Sequence, residues 1–185
     1  RKGVSREESD NFGAMSHSRT AKSIDHDIWE PEIGKVGEIG HKDEDHVVRG
    51  STPESLAELR TAFGPESLVT AGNASGVVDG AAAVVIKSAT QAAKDGDKPL
   101  AKIVSWGIVG LEPAIMAYGP VPSSRKALEK AGLTIEDIDR WEINEALAGQ
   151  AVACVKDLGL DIEKVNVNGG AVGIGHPLAA TGTRL

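Results

Sequence analysis

The sequence predicts an α/β protein with a covered sheet. Residues 79–86 form a continuous apolar run of strand length, and residues 101–109 read as another. Such unbroken runs suit strands buried on both faces. Helical patterns alternate with them through the second half of the chain, which is the α/β arrangement. The 22 glycines supply the tight turns and close packing that such connections need.

Taken in order, Ser5-Arg-Glu-Glu8 is a capping-box pattern and predicts a helix over residues 6–23, with Phe12 and Met15 on one face. Residues 30–50 are looped or extended, punctuated by Pro31, Gly34, Gly37, Gly40 and Gly50. Ser51-Thr-Pro-Glu54 opens a second helix with Pro53 in its first turn. Leu56, Leu59 and Phe63 continue it at helical spacing until Gly64-Pro65. After the small-residue loop 69–76 and the strand 79–86, a short helix is expected over 89–94. Strand 101–109 follows, then a helix capped by Ser123 or Ser124 and ended by Gly132. A helical turn over 134–138 and a strand over 140–143 come next. A helix over 145–158 then places Leu147, Ala151, Cys154 and Leu158 on one stripe, with Gly159 beyond its end. Residues 165–168 read as a final strand.

Composition narrows the function. Aromatic residues are only 3% of the chain, so the core is built of Ala, Val, Ile and Leu. A net charge of −7 leaves no basic footprint for nucleic acid. No apolar run is long enough to span a membrane. Cys154 is the single cysteine, which excludes an internal disulfide and a cysteine-based zinc site. His17, His26, His41 and His46 match no metal-ligand spacing, so no metal is expected and surface positions are expected for all four. The chain begins at Arg1 without Met and stops where the pattern opens a helix, so it reads as a piece of something longer. Nothing in it fixes a compartment; a bacterial source would make the cytoplasm the expectation.

The most informative stretch runs from Asn166 to Arg184. Gly169, Gly170, Gly173 and Gly175 crowd into seven residues just before His176-Pro177. The backbone there must turn sharply or approach something closely. Neither nucleotide-binding glycine fingerprint can be placed on it, which disfavours a dinucleotide oxidoreductase. His176 lies on a strand-to-helix loop, where α/β proteins place their chemistry. A packing loop with an incidental histidine is the alternative reading of these residues alone.

Several motifs together resemble the thiolase family, which makes or cleaves 3-ketoacyl-CoA. Ser5-Arg-Glu-Glu-Ser-Asp10 is similar to S-R-[ED]-x-Q-D, and residues 69–80 to V-T-A-G-N-A-S-G-x-x-D-G. Gly119-Pro-Val-Pro122 is similar to G-P-[VI]-P, and Asn144-Glu-Ala146 to N-E-A-F. Residues 166–184 resemble N-x-N-G-G-A-x-x-x-G-H-P-x-G-x-[ST]-G-x-R. The motifs stand in the family's order and cover nearly the whole chain.

The resemblance implies a layered αβαβα fold, present here in part. Residues 1–76 would be most of the CoA-binding loop domain, 77–95 the end of the N-terminal half, and 96–185 the first part of the C-terminal half. It implies acyl transfer through an acyl-cysteine, with the family's two catalytic cysteines outside this chain. No resident cofactor is implied; acyl-CoA and CoA are the substrates, and a homodimer or homotetramer is the expected assembly. By the same resemblance His176 activates the nucleophilic thiol, and Asn144 positions a water in an oxyanion hole. Asn144 also suits a helix N-cap. Ser75 would contact pantetheine, Arg49 and Ser55 would lie near the adenine end, and Leu59, Phe63, Met116, Ala146 and Leu147 would wall the acyl channel. Cys154, on an apolar helix stripe, reads as a packing residue.

Three positions depart from the pattern: Leu147 for an aromatic, Ala179 for glycine and Ser9 for glutamine. The V-S-W and G-P-V-P context is similar to short-chain acetyl-CoA acetyltransferases, the H-P-L-A-A-T-G form to degradative members, so acyl chain length stays open. A non-catalytic or degenerate CoA-binding module of the same family is the second reading.

Overall fold

Ser5 starts the first helix through side-chain bonds that its sequence motif foreshadows. In the computed structural model, which describes residues 3–34 and 50–185, its hydroxyl accepts the Glu8 N–H at 3.1 Å, while the Glu8 carboxylate accepts the Ser5 N–H at 2.9 Å. Helix α1 spans Arg6–Asp25. It is buried along much of its length, yet that face is largely polar: Ser9, Asp10, Ser16, His17, Thr20 and Ser23 join Phe12, Ala14 and Ile24. Burying a polar group is costly unless it is hydrogen-bonded; most of these groups are bonded, while Thr20 Oγ1 and His17 Nδ1 are buried without a partner among the described residues. Asp10 pairs with Arg6 at 2.6 Å and accepts from Asn73 Nδ2 at 2.8 Å. Arg19 donates to the Val165 and Ile162 carbonyls at 2.7 and 3.1 Å.

His17 is a correction. It is 3% exposed, against the expected surface position, and its Nε2–H donates to the Gly72 carbonyl at 3.0 Å. Burial pushes its pKa below the ordinary value. His26 is exposed as expected, and His41 and His46 lie outside the described residues.

The other helices are α2 (Pro53–Ala57), α3 (Ala89–Asp95), α4 (Pro120–Ala131), α5 (Ala148–Leu158), α6 (Ala171–Ile174) and α7 (Thr181–Arg184). Helix α2 stops at Ala57, well short of Gly64, so Leu59 and Phe63 lie beyond it and only Leu56 is buried. Helix α4 starts at Pro120 rather than at a serine cap, because Ser123 Oγ donates back to the Gly119 carbonyl at 2.8 Å. Residues 134–138 form the expected turn, with the Ile138 N–H donating to the Ile135 carbonyl at 3.2 Å and Asp137 accepting the Thr134 N–H at 2.8 Å. Helix α5 starts at Ala148, three residues later than predicted. Gly159 closes it with φ +68°, in the left-handed region that favours glycine.

Helix α5 separates two apolar clusters. Cys154 and Leu158 face Val121 of α4, together with Ile143, Leu160 and Val165. Ala148, Ala151 and Val152 pack with Phe12 of α1 and Val172 of α6. Cys154 is fully buried in the first cluster, as its stripe predicts.

The predicted strands are the main correction. Among the described residues there is no strand ladder. Isolated bridges pair Thr61 with Thr70, Ala74 with Leu147, and Trp141 in parallel with Val165. The last joins the two segments expected at 140–143 and 165–168. Residues 79–86 and 101–109 form no ladder, and Val84, Val85, Ile86, Ile103, Val104 and Ile108 are exposed. A strand buried on both faces needs a neighbour on each edge, and the described residues supply none for these runs. The second run is instead held against α4, where Lys126 and Lys130 donate to the Ile108 and Trp106 carbonyls.

Candidate active site

The glycine-rich loop is shaped by what lies beneath it. A Cβ on Gly170 would stand 2.3–2.6 Å from the Glu145 carboxyl atoms, and one on Gly175, where φ is +97°, would stand 2.5 Å from a Val78 methyl. Only glycine permits both approaches. The loop therefore lies flat on α1 and on the segment leaving Asn73–Gly76. It delivers His176 to a junction of three chain segments.

At that junction the His176 N–H donates to the Gly76 carbonyl at 2.8 Å. On the other side of the same loop, Ser75 donates from its backbone and its hydroxyl to the Ala146 carbonyl, at 3.2 and 3.0 Å. The Ala148 N–H reaches the Asn73 carbonyl at 2.8 Å. Asn73 is itself 2% exposed; its side chain accepts the Thr70 N–H and donates to Asp10 and to the Leu68 carbonyl. Residues 73–76 thus form a rigid strip between the N-E-A segment and the histidine.

The two chemical groups meet across this strip. Asn144 Nδ2 lies 3.2 Å from His176 Nε2, and His176 Nδ1 lies 2.8 Å from Thr181 Oγ1. Both side chains are partly buried. The Asn144 Oδ1 atom is buried and has no hydrogen-bond partner among the described residues. Asn144 is not a helix N-cap, because α5 begins later and its N-cap position is Leu147. Its amide is left available for the site.

Glu145 is the residue that reading the sequence passed over. It is fully buried, and its carboxylate accepts from Ser16 Oγ at 2.6 Å, Asn166 Nδ2 at 2.8 Å and the Val172 N–H at 3.0 Å. Burial pushes its pKa up, and those three donors oppose the shift. It joins α1, the Asn166 turn and α6 directly beside Asn144. Asn166 adopts φ +45° and uses its side-chain amide to bond both backbone groups of Ile143 at 2.8 Å, which aligns the segment leading to Asn144. The signal in the sequence was the acidic residue inside Asn-Glu-Ala, followed by an asparagine ahead of the glycines.

Of the predicted binding residues, Ser75, Ala146 and Leu147 lie at this junction, partly buried. Ser55 is exposed and serves the capping box of α2, bonded reciprocally with Thr52. Leu59 is 37% and Phe63 79% exposed, beyond α2. Met116 is exposed on a short 3-10 helix, Pro113–Tyr118, where it lines an open groove with Val109, Leu111, Pro113 and Gly119. Arg49 lies outside the described residues. No group of three or more His, Cys, Asp or Glu suited to a metal ion occurs among the described residues. Among them, too, no helix is long and apolar enough to cross a membrane.

Comparison with known proteins shows the family of the chain. Residues 1–90 match the family model "Thiolase, N-terminal domain", and residues 97–185 match "Thiolase, C-terminal domain". The acetyl-CoA acetyltransferase of Syntrophomonas wolfei is 49% identical over 99% of this chain and 48% of its own length. The 3-ketoacyl-CoA thiolase of Marinobacter nauticus is 46% identical over 99% of this chain and 50% of its own. The chain spans about half the length of the curated relatives it matches. Among solved structures, the Bacillus anthracis acetyl-CoA acetyltransferase superposes with a TM-score of 0.88 at 42% identity, covering 98% of this chain and 48% of that one. A human mitochondrial 3-ketoacyl-CoA thiolase in complex with CoA gives 0.87 at 38%, covering 98% and 46%. The backbone therefore follows about half of a thiolase fold, α/β in class although its own strand runs are unpaired. With both domain models matched in order along the chain, the chain belongs to the thiolase family.

Proposed function

We propose that this chain carries the histidine–asparagine part of an acyltransferase site that condenses or cleaves 3-ketoacyl-CoA through an acyl-cysteine intermediate. The observation that carries the reading is the 3.2 Å approach of Asn144 Nδ2 to His176 Nε2. The names of its relatives, acetyl-CoA acetyltransferase and 3-ketoacyl-CoA thiolase, supply the reaction class.

In this reading His176 Nε2 takes the proton of a cysteine thiol, and the thiolate attacks the thioester carbonyl. When the carbonyl reforms in the condensing direction, the sulfur of CoA leaves and takes the proton back. In the cleaving direction the thiolate attacks the 3-keto carbonyl, the C2–C3 bond breaks, and acetyl-CoA leaves with the proton on C2. The His176 side chain also helps line an oxyanion hole for the second acyl-CoA, whose thioester oxygen gains negative charge when its alpha proton is removed. The buried, unpartnered Asn144 Oδ1 favours a bound water that completes the oxyanion hole. Cys154 is fully buried in the α4–α5 cluster, so the nucleophile is a cysteine outside these residues. Ser75 contacts the pantetheine arm, and Leu59, Phe63, Met116, Ala146 and Leu147 wall the pantetheine and acyl channel. Arg49 and Ser55 lie near the adenine end. The solved CoA complex of a relative favours CoA as the group held here. We assign residues 1–76 to the loop domain, 77–95 to the end of the N-terminal half and 96–185 to the C-terminal half, within a homodimer or homotetramer.

The test is thiolysis of acetoacetyl-CoA by the protein as encoded, alongside CoA binding by calorimetry. His176→Ala should lower turnover by about a hundredfold or more while CoA still binds. Binding of CoA by the unaltered protein with no turnover would favour the non-catalytic module instead.

A further inference from the structure

We infer that Thr181 is a positioning residue that holds His176 in the tautomer protonated at Nδ1, leaving Nε2 as the ring's only proton acceptor. The inference deepens the proposed function and rests on it for its catalytic consequence; the tautomer itself does not.

The argument starts from one hydroxyl proton. Thr181 is 3% exposed and opens α7. Its Oγ1 lies 3.1 Å from the Pro177 carbonyl four residues back, which also accepts the Ala180 and Thr181 N–H groups at 2.9 and 3.0 Å. A hydroxyl has a single proton; placed on that carbonyl, it leaves the oxygen to meet His176 Nδ1, at 2.8 Å, with a lone pair, and Nδ1 carries the hydrogen. On the far side of the ring Asn144 Nδ2 faces Nε2 at 3.2 Å and accommodates a lone pair there. The Thr181 contact thus selects the tautomer, and the two ring nitrogens are not interchangeable.

The consequence is a division of labour. Nδ1–H stays on Thr181 whether the ring is neutral or protonated. Proton uptake and return then pass through Nε2 alone, on the Asn144 side, with no rotation of the ring and no exchange between tautomers. The opposite tautomer would present an N–H toward Asn144 and could not take a proton there.

The experiment is nitrogen NMR on the protein as encoded, labelled with ¹⁵N-histidine, at a pH where the His176 ring is neutral. The His176 signals are identified by their loss in His176→Asn. The expected spectrum has a protonated, pyrrole-type Nδ1 and an unprotonated, pyridine-type Nε2. Thr181→Val removes the hydroxyl at nearly constant shape and should move the ring toward a mixture of tautomers, while Thr181→Ser should restore the original spectrum. In acetoacetyl-CoA thiolysis, Thr181→Val should lower kcat by on the order of ten- to a hundredfold with KM little changed, as expected when a group orienting a functional histidine through its second nitrogen is lost. Thr181→Ser should recover most of that rate. A protonated Nε2 in the unaltered protein, or an unchanged Nδ1–H spectrum in Thr181→Val, would overturn the inference. Should Thr181→Val fail to fold, the spectrum of the unaltered protein still decides. Absence of turnover in the unaltered protein would instead remove the proposed function and leave the tautomer assignment standing on its spectrum.

Discussion

Glu145 and Gly170 form a single fitted contact: the carboxyl lies where a side chain at position 170 would begin, 2.3–2.6 Å from the place of its first carbon. The buried acid and the missing side chain are complementary, and together they let the loop carrying His176 lie against the segment carrying Asn144. Gly170→Ala should therefore be destabilising by about 1–3 kcal/mol through overpacking against a group that has no room to retreat. Urea unfolding of the protein as encoded measures this; a loss below half a kcal/mol would mean that the loop is not pinned there.

Glu145→Gln tests the acid itself. The carboxylate accepts three hydrogen bonds, from Ser16, Asn166 and Val172. Glutamine keeps one acceptor oxygen and turns an amide N–H₂ toward the remaining donors. The expected cost is about 1–3 kcal/mol, the usual penalty for a buried donor left unsatisfied. A lowered thermal midpoint by calorimetry checks it, and an unchanged midpoint would contradict it.

His17 gives stability a defined response to acid. Burial lowers its pKa from the ordinary 6.5, and the Gly72 bond, which favours the charged form, only partly offsets this. The unfolded chain therefore binds a proton more readily than the folded one. Stability is complete above about pH 6.5 and falls as pH drops from there toward the lower folded pKa. Denaturant melts between pH 7.5 and 5 should show this loss, and His17→Gln should flatten it relative to the unaltered protein. An equal slope in both would refute the assignment.

Cys154 should be dispensable for chemistry. It is fully buried against Val121, Leu158 and Val165. Cys154→Ala should leave kcat of thiolysis within about twofold and cost roughly 1 kcal/mol of stability, the order expected for a small core truncation. A loss of turnover beyond a hundredfold in a folded variant would make this sulfur part of the reaction.

These outcomes also indicate which parts of the molecule could be read in advance. Helix signals are local and legible: the Ser5–Glu8 box starts α1, α3 falls on the short helix expected over 89–94, and Gly132 and Gly159 end α4 and α5. The meeting of Asn144 and His176 was legible through motif resemblance. Strand pairing depends on neighbours far along a chain, so residues 79–86 and 101–109 carry strand composition without forming a ladder. The start of α5 was misplaced because Glu145 has helix-forming character, yet three buried donors from distant segments hold it in an extended link. His17 was misread for a similar reason, since its surroundings on α1 are polar in sequence but enclosed by the 70–73 turn in space.

The central claim is that Asn144 and His176 act as one catalytic unit. A double-mutant cycle on kcat/KM for acetoacetyl-CoA thiolysis, with Asn144→Ala, His176→Ala and the combination, tests it most directly. The double variant should be no slower than the worse single variant by more than about twofold. Penalties that multiply, as for two independent sites, would contradict the account.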